Sequence, residues 1–418
     1  MVTVVPIAIA LIVVLVVVEL LSKRALERYG EGLGSMPTVV LEEFPGISPG
    51  LLEKYTSFDP ELGWVPQPNQ QKQKDTGDHL PGEEVESVVT YSTDEYGSRV
   101  CPAADRDSGR GAVSTYGDSY CFCREVDDDE TFQNHLAEEI DSHVGNYGGG
   151  NYGLDQALLR MKRQYPEDPT DHVCVVVTAS SIARILSVWK HYQEFGNVLA
   201  VKPRYELNDG ELELVESPVD EKEDLLDLES RAPFLRTHDH HYENWFKPHL
   251  ASFPYATDFL TSADQIKYAL YGVGIDLESE YDVSVPGIDF GARQAATNLR
   301  LERSRVKYHE RLFDEKEDLL DALIGEFVSY AEEHDFTPTF VMVQQLRYAT
   351  YEAEHGPIYG DLMDRLDERY PELETIDMAE HLSGDPESLY VQRGEGGHYS
   401  PETNARIAEV LAEEVVTD

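Results

Sequence analysis

Basic residues are scarce in this chain: 34 Lys and Arg stand against 80 Asp and Glu in 418 residues, a formal net charge of −46. Lysine is the rarer cation, 12 against 22 arginines. A surface so poor in cations excludes nucleic acid as a partner, because phosphate binding needs basic patches. The acids are spread along the whole chain, which excludes an acidic tail. Dispersed acidity with few lysines points to a protein that works in very high salt, where the Debye length falls to about 3 Å and self-repulsion is screened. Cysteine is equally sparse: Cys101, Cys121, Cys123 and Cys174 are the only four. Cys121 and Cys123 are too close for an easy mutual disulfide, and no paired C-x-x-C zinc spacing occurs. Four scattered thiols fit a reducing compartment. No glycine run ends in Gly-Lys-Ser/Thr, which argues against a nucleotide phosphate loop, and no cofactor is expected.

What is present allows a folded core, with 41% hydrophobic and 10% aromatic residues. The length suits one large α/β domain with insertions or two smaller domains. Val2 to Leu21 is an apolar run whose only charge is Glu19. About 20 apolar residues span a bilayer, and no small-residue cleavage site follows, so residues 1–22 read as a transmembrane anchor rather than a signal peptide. Lys23, Arg24 and Arg28 follow the run and none precedes it, which places the remainder of a single-pass protein on the cytoplasmic side. Residues 23–105 read as a linker and lead-in segment, with short strands expected at Val88–Tyr91 and Tyr96–Val100.

From about residue 106 to 418 an α/β pattern is expected, broken by an insertion at about 199–310. Strands are expected at Ala112–Tyr116, before Tyr147, at His172–Thr178, Thr339–Val343 and Leu373–Ile376. Helices carry Phe132, Leu136 and Ile140, then Leu154, Leu158 and Met161, then Ile182 to Phe195, Leu319 to Phe327, Asp361 to Tyr370 and Pro401 to Val415. Arg204 to Leu214 alternates around Asn208-Asp209-Gly210, a hairpin signature. Strand and helix in alternation imply a doubly wound parallel sheet, whose ligands bind beyond the carboxyl ends of the strands. Ser119 follows the first strand, the glycine run Gly148-Gly149-Gly150 the second, Ser180-Ser181 the third and Gln344-Gln345 the fourth, with His398 beyond the fifth.

A serine becomes nucleophilic when a base takes its proton, and the oxyanion formed on attack needs fixed N–H donors. Ser119, in Tyr116-Gly117-Asp118-Ser119, is the candidate nucleophile and His398 the candidate base. Glu395, three residues before the histidine, is the candidate to orient it. Oxyanion donors are sought at the N–H groups of Ser119, Gly150 and Asn151 and at the hydroxyl of Ser181, for which a helix N-cap is the plainer role. The histidine-rich stretch His238-Asp239-His240-His241, with His249, offers nitrogen ligands, but neighbours on an extended loop point apart, and no metal is expected. Cys121 and Cys123 read as packing residues.

These residues resemble the SGNH/GDSL hydrolases. Tyr116-Gly117-Asp118-Ser119 is similar to that family's first block. Asn146 to Gly153 followed by Leu154-Asp155-Gln156-Ala157-Leu158 is similar to its second, and His398-Tyr399-Ser400-Pro401 to its last. Phe58 to Trp64 and Asp94-Glu95-Tyr96-Gly97-Ser98-Arg99 are similar to the lead-in of some members. The second block's oxyanion glycine falls on Asn151, the third block's asparagine is replaced within Thr178 to Arg184, where Ser181 stands, and the last block's aspartate becomes Glu395. The resemblance implies a flavodoxin-like α/β fold. It also implies a serine-dependent esterase or acyltransferase for an acylated carbohydrate or lipid-linked glycan. The alternative is a catalytically inactive module that binds a glycan or a protein.

Overall fold

The run of β-branched residues ending at Thr178 has no polar face, as expected for a strand covered on both sides. It is the central strand of a five-stranded sheet in the computed structural model, which describes residues 4–30, 39–75, 88–106, 111–384, 386–391 and 397–416. The strands are β1 (Gly111–Gly117), β2 (Val144–Gly148), β3 (Thr170–Thr178), β4 (Thr337–Val343) and β5 (Glu374–Asp377). All neighbours pair in parallel, in the order β2-β1-β3-β4-β5. This is a doubly wound α/β sheet, and its topological switch lies between β1 and β3.

The chain divides into two units, one of residues 50–188, 201–222 and 306–418 that holds this sheet, the other of residues 1–49, 189–200 and 223–305. In the sheet-bearing unit, α2 (Phe132–Ile140) and α6 (Pro401–Leu411) pack together over one face; α3 (Leu154–Gln164), the short α4 (Ser181–Arg184) and α5 (Glu317–His334) lie between them in sequence. Phe132, Leu136, Ile407 and Leu411 join Val113, Val144, Val176 and Val341 in one core. Leu158 of α3 and Leu323 and Phe327 of α5 are buried outside that core, against the sheet's other face. Each of these side chains contributes about 1.5–3 kcal/mol on leaving water.

Two sequence expectations are corrected here. Tyr96–Val100 is not a strand. Asp94 accepts hydrogen bonds from the N–H groups of Tyr96 and Ser98 at 2.9 Å, bending the chain, and Arg99 alone bridges to Asn146. Val88–Ser92 pairs instead with Gln71–Asp75. Residues 182–195 do not form one helix: α4 ends at Arg184, and the next helical turn is Lys190–Gln193, because Trp189 is extended (φ −118°, ψ 107°) where the chain passes from one unit to the other. The Arg204–Asn208 and Glu211–Val215 hairpin forms as its turn dictates, with Asp209 and Gly210 both at positive φ.

The other unit opens with α1 (Val4–Tyr29). Among the described residues no helix is long and apolar enough to cross a membrane, so the expected transmembrane anchor is not found as a span. From the helix start at Val4 to Val18, before Glu19, the apolar stretch is fifteen residues, about 22 Å at 1.5 Å each, against about 30 Å of bilayer hydrocarbon. Glu19 itself is engaged within this unit, since its carboxylate accepts the N–H groups of Tyr255 and Ala256 at 2.7 and 3.0 Å, at the start of helix Tyr255–Thr261. Leu26 is buried with Val39 and Ala251, and Arg28 and Tyr29 both bond Asp276 at 2.7 Å. The large apolar side chains from Ile7 to Val17 remain 46–67% exposed.

Among the described residues no three of His, Cys, Asp and Glu gather as metal ligands. The histidine-rich stretch is occupied otherwise: Asp239 accepts from the N–H groups of Trp189 and His241 at 2.9 Å, and His249 Nδ1 lies 2.7 Å from the Trp245 carbonyl. All four cysteines are buried and unbridged. Burial pushes the Cys121 thiol well up and that of Cys123 to about 12, so both stay protonated packing groups.

Candidate active site

The first strand delivers Ser119 to the switch point through a turn that only glycine permits. A Cβ on Gly117 would stand 1.9 Å from the Val176 carbonyl oxygen of β3, and one on Gly148 2.2 Å from the Phe122 nitrogen. The turn closes when Phe122 N–H donates to the Asp118 carbonyl at 2.9 Å and Arg124 N–H to that of Ser119 at 3.0 Å. Asp118 fixes it from inside. Its buried carboxylate accepts from Tyr120 N–H at 2.8 Å, from the Thr178 hydroxyl at 2.7 Å and from Arg184 Nη1 at 2.7 Å. Arg184 also donates to the Tyr152 carbonyl at 3.1 Å, tying the serine turn to the glycine loop. Breaking such a buried pair from one side costs about 3–5 kcal/mol, so Asp118 is a structural partner of the serine, with its charge already matched.

His398 arrives from the far end of the chain. Its carbonyl accepts Val391 N–H at 2.7 Å, Tyr390 bridges Tyr399, and Ser400 caps α6 through Thr403 N–H at 3.3 Å. Tyr120 steadies the ring, tilted against it at 4.8 Å between centroids, while its hydroxyl donates to the Gly397 carbonyl. Burial pushes the Tyr120 phenol well above its ordinary range, which keeps it a donor. His398 Nε2 stands 2.9 Å from Ser119 Oγ. With the ring proton on Nδ1, Nε2 accepts the serine hydroxyl, which is the geometry a general base needs.

Gly150 and Asn151 follow β2, beside Ser119 because Gly149 N–H donates to the Gly117 carbonyl at 2.9 Å. Asn151 adopts a left-handed backbone (φ 63°), tolerable for asparagine. Trp64 Nε1 donates to the Gly150 carbonyl at 2.8 Å, and the Tyr152 hydroxyl bonds the Trp64 carbonyl at 2.5 Å. The aromatic lead-in segment thus braces the glycine loop. Among the described residues the N–H groups of Ser119, Gly150 and Asn151 make no hydrogen bond and remain open as donors. Ser181 is drawn elsewhere: its Oγ accepts Leu154 N–H at 2.8 Å, supporting the first turn of α3, whose own N-cap residue is Gly153. Glu395 lies outside the described residues.

A residue that sequence reasoning passed over occupies the other side of the imidazole. Glu125 Oε2 is 3.5 Å from His398 Nδ1. Its loop is held by Arg99, fully buried, which donates to the carbonyls of Phe122, Cys123 and Val126 at 2.6–2.8 Å and to Asp128 at 2.9 Å. The one signal in the sequence is the adjacent pair Arg124-Glu125, the first charges after Ser119.

No family model matches the chain, and no curated protein matches it. Among solved structures it is similar to a lipolytic protein of the G-D-S-L family from Desulfitobacterium hafniense. The identity is 10%, over 73% of this chain and 99% of that one, with a TM-score of 0.33. A score that low leaves the site's own geometry as the basis for reading it.

Proposed function

We propose that the sheet-bearing unit is a serine ester hydrolase or acyltransferase, with Ser119 as nucleophile and His398 as base. The observation that carries this reading is the 2.9 Å contact between His398 Nε2 and Ser119 Oγ, made across 279 residues of sequence at the sheet's switch point. Ser119 Oγ bonds to the acyl carbon as its proton passes to Nε2. The ester C–O bond then breaks, and the same proton leaves on the departing oxygen as an alcohol. In the second half, water or an acceptor hydroxyl gives its proton to Nε2 and takes the acyl group, and that proton passes to Ser119 Oγ as the acyl–oxygen bond breaks. The N–H groups of Ser119, Gly150 and Asn151 are the donors at hand for the oxyanion. A fluorophosphonate probe at multimolar salt is expected to label the wild-type chain and not Ser119→Ala. A folded wild type that takes no label would sink the enzyme reading and favour the glycan- or protein-binding module.

The substrate we favour is an acylated carbohydrate or lipid-linked glycan, supported by the likeness of the sequence blocks to SGNH hydrolases. We also place the protein at a lipid surface through α1. What supports this is an apolar helix exposed on every side from Ile7 to Val17, which water penalises and lipid hydrocarbon relieves. The full chain is expected to float with phosphatidylcholine vesicles in multimolar KCl, and the pair Ile12→Asp with Leu15→Asp to remain in the pellet fraction. Equal flotation of both overturns the placement.

A further inference from the structure

The loop from Phe122 to Val126 holds a buried carboxylate that neither the nucleophile nor the oxyanion donors engage. We propose that Glu125 is the positioning carboxylate of this site, holding His398 in the tautomer that accepts the Ser119 proton; the proposal rests on the reading of Ser119 and His398 given above. Its carboxylate is completely buried, 3.5 Å from His398 Nδ1. Among the described residues neither of its oxygens makes a hydrogen bond, and neither does His398 Nδ1. A buried carboxylate and a buried ring nitrogen, both otherwise unmatched and facing each other, are complementary only as acceptor and donor. Proton on Nδ1 leaves the Nε2 lone pair directed at Ser119, and the 3.5 Å gap closes as the imidazolium forms.

The backbone supports the same assignment. Glu125 sits at φ 78°, a conformation that costs a residue with a side chain, and the surroundings enforce it. Its N–H donates to the Tyr91 hydroxyl at 2.9 Å, and Arg99 grips the carbonyls on either side. The strain is maintained to aim one carboxylate. Asp118, the other buried acid of the serine turn, already receives Thr178 and Arg184 and has no contact with the imidazole.

With a short-chain nitrophenyl ester at fixed multimolar salt, Glu125→Gln is expected to lower kcat by roughly 10²- to 10⁴-fold while KM stays within about twofold. The kcat is counted per active site titrated with the fluorophosphonate probe, so that unfolded protein does not enter it. A buried residue with a purely structural role would lower the number of titrated sites and leave the kcat of each within about twofold. Should the glutamine variant not fold, Glu125→Asp, which keeps the charge but withdraws it by one methylene, is expected to lower kcat at least about tenfold. An unchanged kcat per site in Glu125→Gln, beside a wild type that hydrolyses the ester through Ser119, overturns the proposal and leaves the hydrolase reading standing. So does a loss of kcat per site in Glu395→Gln that Glu125→Gln does not share. A wild type without Ser119-dependent hydrolysis removes both.

Discussion

Replacing His398 with alanine is expected to lower ester turnover by roughly 10⁴- to 10⁶-fold with KM little changed. The imidazole touches the reacting hydroxyl and nothing that a bound ester must displace: Nε2 faces Ser119 Oγ at 2.9 Å, and the ring rests on Tyr120. Its contribution is therefore to proton movement in the transition state, and at least about 5 kcal/mol of barrier follows from a 10⁴-fold loss. The measurement is steady-state hydrolysis of a nitrophenyl ester at the salt where the wild type is folded. A fall of less than tenfold would show that the serine has another base. The variant removes no group on which the sheet depends, because the flanking anchors are backbone bonds of Val391 and Ser400 and the cap of α6.

The largest effect on stability is expected at Arg99. Its guanidinium is fully buried and donates to the carbonyls of Phe122, Cys123 and Val126 and to Asp128, with the Tyr91 and Phe122 rings 4.9 and 5.0 Å from it. Arg99→Ala leaves those buried carbonyls without their donor and removes the ion-pair partner of Asp128, a loss of about 3–5 kcal/mol or more. Arg99→Lys is expected to recover little, since one ammonium cannot reproduce a planar fork of donors. Chemical unfolding at constant salt, followed on the sheet-bearing unit, reads both. A cost of under about 1 kcal/mol for the alanine variant would refute the clamp. Because Arg99 also shapes the Glu125 loop, any folded fraction is expected to hydrolyse esters poorly.

The sheet was legible because its strands are local signals. Val173–Val177 and Phe340–Val343 are unbroken apolar runs, buried throughout. Ser119 and His398 were legible for the same reason, as polar residues standing after strand ends. The lead-in was harder. Tyr96 to Val100 alternates as a strand does, yet the Asp94 side chain captures two N–H groups and turns Arg99 inward. Ile182 to Phe195 has helical periodicity, and the exchange between units at Trp189 overrides it. Glu125 could not be read from spacing. Its meeting with His398 depends on a left-handed backbone residue and a remote arginine, and neither leaves a periodic trace.

The separation of the base from the rest of the site has a consequence for the timing of biosynthesis. Ser119, Asp118, Glu125 and the Arg99 clamp all lie within thirty residues of one another, whereas His398 stands 279 residues beyond the serine. A nascent chain that has folded its serine turn is still unarmed, and it stays so until the segment leading into α6 has emerged and docked beside α2. Closing so long a loop is slow compared with forming the turn. On the reading of Ser119 and His398 proposed above, ester cleavage is therefore withheld from every incomplete chain.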